Sequence, residues 1–173
     1  MKIRATAKLL KVSGVKPVKD LVNPEDNLPG EWYASMVSLL KPGKFAVQFL
    51  HYPTYITILI PGKSLNKAVL QLQEKVSSFL KRNGYESLES RFELDDSIDI
   101  IATNSRSMLA HMNQIKYNLE YHFAIAESVD SIDYQKLEDI HLGYLVGVKD
   151  MKKKYIKPKD LLESLSKEVN GID

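Results

Sequence analysis

Three strand-sized apolar runs lie between Glu31 and Ile60, with only short turns between them. Glu31 to Leu40 ends in the turn Lys41-Pro42-Gly43-Lys44, Phe45 to His51 ends in Tyr52-Pro53, and Thr54 to Ile60 ends in Pro61-Gly62. Parallel neighbours need a crossover of about a dozen residues or more, so these short links predict antiparallel pairing and a meander. Phe45, Val47 and Phe49 alternate with Ala46, Gln48 and Leu50, and Ile56, Ile58 and Ile60 alternate with Tyr55 and Leu59. Both faces are largely apolar. The sheet is therefore expected to be covered on both sides.

Two long helical patterns supply the cover. Ser64 caps a helix over Leu65 to Lys81, with Val69, Leu72, Val76 and Leu80 at helical spacing, and Asn83-Gly84 closes it. A second helix runs from about Ser105 to Ala126, with Met108, Met112, Ile115, Leu119 and Phe123 as one stripe. Lys2 to Ala5 reads as a short strand, and Thr6 caps a turn or two of helix ending near Val12. Ser13 to Gly30, dense in Pro, Asn and Gly, reads as a loop. Leu88 and Phe92 suggest a short helix before a fourth main strand, Ile98 to Ala102. Later come a helix over Asp133 to His141, a strand within Gly143 to Val148, and a terminal helix starting at Pro158. The expected class is α+β: a mostly antiparallel sheet of four to five strands, two long helices packed on it, and a C-terminal helical region. Residues 1–126 form the expected domain. Residues 127–173 form an extension expected to pack on the same domain.

At 173 residues the length fits one domain, which should bury roughly 70% of its extended surface. There is no cysteine, which removes disulfides, thiolate metal sites and cysteine nucleophiles. Charge interrupts the N-terminal segment Met1 to Lys11 every few positions, unlike a signal peptide, and no run approaches the ~20 apolar residues of a membrane span. A cytoplasmic, soluble protein is expected, with no membrane partner. The formal net charge of +2 is small for a nucleic-acid binder. The basic concentration from Lys149 to Lys159 reads mainly as a solvated surface.

The most informative stretch for function is Thr103 to Asn113. A polar, cap-rich run follows the apolar strand and opens the long helix. A helix leaves its first N–H groups without intrahelical partners, which suits an anion. Asn104 or Ser105 supplies the cap, and Arg106 adds a charge-assisted donor. Asn113 is two turns on, ~10–11 Å along the axis, so one small anion would not touch both; a larger ligand or a protein would. Asn104, Ser105, Arg106 and Asn113 are the candidate ligand residues.

Other chemistries find little support. Ser107, His111, Asn118 and His122 form a polar stripe on the same helix, but His111 and His122 are ~16 Å of rise apart and cannot share a metal ion. No metal or other cofactor is expected. A serine nucleophile at the strand-to-helix turn would need flanking glycines, and here the neighbours are Asn104, Arg106 and Met108. There is no dinucleotide glycine fingerprint and no phosphate loop. Trp32 reads as a core or edge aromatic with a bonded indole N–H, and Glu31 has no partner at fixed spacing for general acid work.

Three segments in this order and spacing resemble an uncharacterised bacterial family catalogued only as a domain of unknown function. They are Ile3 to Lys11; Gly30-Glu31-Trp32-Tyr33-Ala34 with its following strands and the Ile60-Pro61-Gly62 corner; and Thr103 to Leu109 with Met112-Asn113. The resemblance covers about Met1 to Ala126. It differs at His111, where the family often has a small residue, and Glu127 to Asp173 has no counterpart in it. The resemblance implies a compact α+β domain and no reaction, cofactor or ligand. It selects Arg106 and Asn113 without assigning them a role.

The expected function is a non-enzymatic binding or interaction module, whose partner is an anionic small molecule or a protein. A second copy of the chain is a further partner that the sequence leaves open. The alternative is an enzyme on a phosphorylated or carboxylated substrate, with Arg106 holding the anion and His111 or Glu31 as acid or base. A nucleic-acid accessory protein using the lysine segment is a third reading.

Overall fold

The chain passes from strand to helix across a single residue. In the computed structural model, which describes residues 1–19, 30–92, 94, 97–103, 105–148 and 155–171, β1 (Lys2–Ala5) leads into α1 (Ala7–Ser13). Thr6 between them is extended, and its hydroxyl accepts from the Leu9 N–H at 3.4 Å as N-cap. Gly14 ends α1 at φ 65°, a left-handed conformation that side chains disfavour. The meander follows as β2 (Trp32–Ser38), β3 (Phe45–His51) and β4 (Thr57–Pro61), antiparallel throughout. β4 begins later than Thr54 because residues 52–54 form the turn and Tyr55 takes a positive φ of 56°.

α2 (Leu65–Arg82) is capped by Ser64, and a 3-10 helix over Glu86–Phe92 precedes β5 (Asp99–Ala102). Then come α3 (Arg106–Ile125), α4 (Tyr134–His141) capped by Asp133, and α5 (Pro158–Asn170) with proline in its first turn. The late strand shortens to two residues, β6 (Val146–Gly147), paired antiparallel with β7 (Tyr155–Ile156), which the hydropathy pattern did not mark.

The main sheet has the order β4-β3-β2-β1-β5 and is mixed. This corrects the expectation of a mostly antiparallel sheet. β1 runs parallel to both its neighbours, with Ile3 opposite Trp32 and Ile100. The short-turn rule governs only the meander. β1 joins it through the segment carrying α1, and β5 follows the segment carrying α2, and such lengths permit parallel crossovers.

Alternation along the strands sorts side chains to two cores. Ile3, Ala5, Trp32, Ala34, Phe49 and Ile58 face α1, α2 and Leu162 of α5. Tyr33, Val37, Ala46, Leu50 and Leu59 face Met108, Met112, Ile115 and Leu119 of α3 and Leu137 of α4. The two long helices therefore lie on opposite faces, and both faces of the sheet are covered. A one-residue slip would exchange the two sets, so the register is strongly specified.

Both sheet edges are blunted. Val18 donates to the Ile100 carbonyl at 2.8 Å along the free side of β5. On β4, the outward Leu59 N–H donates to Glu138 of α4 at 2.8 Å, and Arg82 of α2 binds Glu138 and Asp139 at 3.0 and 2.9 Å. One outward donor of β4 and one outward acceptor of β5 are thereby taken, which makes each edge a poorer template for another chain. Burial pushes the Glu138 carboxyl up to about 7, against the lowering effect of the Leu59 N–H and Arg82. No helix among the described residues is long and apolar enough to cross a membrane.

Candidate functional site

β1 and β5 are parallel neighbours that end side by side. Ala5 lies opposite Ala102, and the Thr103 N–H donates to the Ala5 carbonyl at 3.1 Å. From that edge α1 departs to one face of the sheet and α3 to the other. Where adjacent parallel strands send their helices to opposite faces, a crevice opens outside the strand ends, and ligands of α/β proteins collect in such crevices.

The sequence-selected residues divide at this edge. Ser105 is buried at 1% exposure and caps α3: its hydroxyl accepts from the Met108 N–H at 3.4 Å, and its carbonyl accepts from Leu109 at 3.0 Å. Arg106, the first residue of the helix, is exposed, and its side chain makes no hydrogen bond or ion pair among the described residues. Asn104 lies outside the described residues. Asn113 is exposed on the same side of α3 as Arg106 but two turns along, so Ser105 and Arg106 adjoin and Asn113 stands apart. Replacing Ser105 with alanine removes the cap, and a urea titration is expected to show a loss of about 1 kcal/mol.

Glu31 is not the unpartnered acid that spacing suggested. Its carboxylate takes a bidentate hold from Arg4, whose Nε and Nη2 donate at 2.7 and 2.9 Å, and the pair is 4% and 0% exposed. The Tyr33 hydroxyl donates to the same carboxylate at 3.2 Å, and burial pushes that hydroxyl's pKa up, with Glu31 adding to the effect. The signal was available: Arg4 stands between Ile3 and Ala5 in β1, and alternation turns it to the other face of a sheet expected to be covered on both sides. Trp32 is the expected core aromatic, without the expected bond at its indole N–H. It is fully buried, its ring centroid 4.9 Å from His51, and among the described residues its indole N–H has no partner.

A second constellation forms midway along α3. The fold brings His111 of α3 and His141 at the end of α4 to one pocket, together with Tyr55, Thr57 and Tyr144. Helical spacing correctly kept His111 from His122 but had no means of pairing it with His141. Arg106 and Glu31 do not line this pocket, so the acid, base and anion holder of the enzyme reading do not converge in it. No group of three or more His, Cys, Asp or Glu side chains among the described residues is arranged to hold a metal ion. Of the basic segment, Lys149, Lys152, Lys153 and Lys154 lie outside the described residues. Lys157 is the residue before α5, and Lys159 pairs with Glu163 at 3.8 Å.

No curated protein and no solved structure matches the chain. A family model described as "Domain of unknown function (DUF6933)" matches residues 2–161, a span that takes in α4 and the β6–β7 ribbon as well as the main sheet. That match covers most of the chain, and the protein belongs to this family.

Proposed function

We propose that the protein is a non-enzymatic binding module that takes an anionic group in the crevice outside the ends of β1 and β5. The observation that carries this reading is the chain reversal there: two parallel neighbours release α1 and α3 to opposite faces. The anion sits on the first turn of α3, where the helix dipole is positive, and exposed Arg106 supplies the charge-assisted donor. Ser105 shapes the turn as its cap, and Asn113 reaches the ligand only if it extends along α3. A phosphate or carboxylate on a small molecule or a protein has the required charge and acceptors.

The test is a titration with inorganic phosphate followed by proton–nitrogen NMR. Saturable shifts are expected at the amides of the first turn of α3, weakened about tenfold or more in Arg106→Ala. Shifts that grow linearly without saturating, or that survive the substitution unchanged, would remove the anion site.

A further inference from the structure

The outward faces of the longer helices differ in charge. α2 exposes Lys67, Glu74 and Lys81, and α5 exposes Lys159, Asp160, Glu163, Lys167 and Glu168. Over its 20 residues α3 exposes one charge, Arg106 at its start. The rest of its outward face is uncharged and partly aromatic: Tyr117 is 72% exposed, Tyr121 65% and Ile125 64%. At ~100° per residue, Ala110, Asn113, Tyr121 and Ala124 all lie within about 40° of the Tyr117 direction, so they form one continuous ridge. Tyrosine with few charges is the composition of the centre of a protein interface, whereas a solvated helix face keeps its charges.

Charge then selects the occupant. Lys116 and Glu120 lie together on one flank of the ridge, half-buried and 3.7 Å apart. So exposed an ion pair is weak, and its members exchange partners at little cost. An identical helix docked antiparallel sets that flank against itself, because like flanks meet in an antiparallel pair. With a two-fold axis level with Tyr117, Lys116 falls within ~3 Å, along the helix, of Glu120 on the second copy, and the reverse contact follows by symmetry. Ala110 then meets Ala124, and Asn113 meets Tyr121. The two Arg106 residues stand ~33 Å apart, far beyond the ~10 Å screening length. A parallel pair would instead set both Arg106 residues and both helix dipoles side by side, and would turn the Lys116–Glu120 flank toward Gln114 and Asn118. The net charge of +2 adds little repulsion between copies.

We propose that the outward face of α3 is a docking surface for a second copy of this chain, in a two-fold, antiparallel helix pair centred near Tyr117. Tyr117 and Tyr121 form its centre, and Lys116 and Glu120 fix its direction. The face is one helix long, ~30 Å, and buries less than the ~1,200–2,000 Å² of a stable interface, so the association is transient, with a Kd on the order of 10–100 µM. Arg106 and the strand-end crevice lie ~16 Å from Tyr117 along α3, so this contact and the anion site stand or fall independently.

Sedimentation velocity of the full chain from about 5 to about 500 µM tests this, and a concentration-dependent shift from monomer to dimer is expected. Tyr117→Glu brings two carboxylates to the two-fold axis and is expected to weaken association about tenfold or more. Lys116→Glu and Glu120→Lys should each weaken it about tenfold alone, because each sets like charges across the contact. An equimolar mixture of those two variants restores opposite charges and is expected to associate at least as tightly as the wild type, less so at high salt. Arg106→Ala is expected to leave association unchanged. The substituted side chains are exposed or half-buried, so urea midpoints close to the wild-type value are expected and show that each variant is folded. A chain that stays monomeric at about 500 µM overturns the proposal and leaves the face to a different protein. Dimerisation that Tyr117→Glu does not weaken overturns it by placing the contact elsewhere. Single charge variants whose mixture fails to recover association overturn the antiparallel pairing.

Discussion

Glu31→Ala is expected to cost roughly 3–5 kcal/mol of stability, the usual result of removing one partner from a buried ion pair. Arg4 and Glu31 are almost fully enclosed, and two bonds of 2.7 and 2.9 Å tie them between adjacent parallel strands. Alanine leaves the guanidinium in the sheet without that bidentate carboxylate and takes the acceptor from Tyr33. A domain holds only about 5–15 kcal/mol in total, so the variant should unfold at a much lower urea concentration or fail to accumulate. The double variant Arg4→Met with Glu31→Leu removes both charges and fills the space with apolar atoms. It is expected to recover most of the loss, because desolvating the pair had cancelled much of its attraction. An unchanged urea midpoint in Glu31→Ala would show that water reaches the pair in solution. A double variant as unstable as the single one would instead place the loss in packing.

Local rules were enough for the elements but not for how they meet. Short turns and alternation located β2, β3 and β4, and capping serines located the starts of α2 and α3. Apolar character on both sides of the meander anticipated two cores, which the register of β2 on β3 delivers. The orientation of β1 was not legible, because a long connection permits either direction and hydropathy is blind to it. The two-residue ribbon was missed for a different reason: β6 and β7 are too short for any periodicity to register.

The candidate sites were legible in proportion to how local they are. A helix start is written in four or five consecutive residues, so the Ser105 cap and the exposed Arg106 could be read directly. The pocket draws Thr57, His111, His141 and Tyr144 from β4, α3, α4 and the segment after α4. Nothing in their sequence spacing links them. The polar stripe on α3 was visible, but the fold decides which part of it is covered: His111 and Asn118 line the pocket and Ser107 does not. Arg4 and Glu31 are likewise 27 positions apart and meet only because β1 and β2 pair in parallel.

Acid is expected to destabilise the protein from about pH 6.5 downward and more steeply below about pH 4.5, where Glu138, the buried group that opposes the histidines, stops contributing. His51 packs between Trp32 and Phe92, and burial lowers its pKa from 6.5 to about 3. In that window the unfolded chain binds a proton that the fold refuses, so stability is lost as pH falls. At ~1.36 kcal/mol per pH unit the loss reaches roughly 4–5 kcal/mol by about pH 3. His111 and His141 are lowered for the same reason and act in the same direction. Glu138 opposes them. Its carboxyl is raised from 4.5 to about 7, so the fold takes up the proton first and gains roughly 3 kcal/mol as pH falls through that range. Below about 4.5 Glu138 is protonated in both states and contributes no further slope, which leaves His51 unopposed. Urea midpoints measured across this range in His51→Gln and Glu138→Gln separate the two contributions. His51→Gln should flatten the acid limb, whereas Glu138→Gln should bring the steep loss forward to begin near pH 6.5. A steep limb that survives in His51→Gln would assign the acid sensitivity to other groups, and a Glu138→Gln curve parallel to the wild type would mean that Arg82 and the Leu59 N–H offset burial completely, leaving Glu138 with the same proton affinity folded and unfolded.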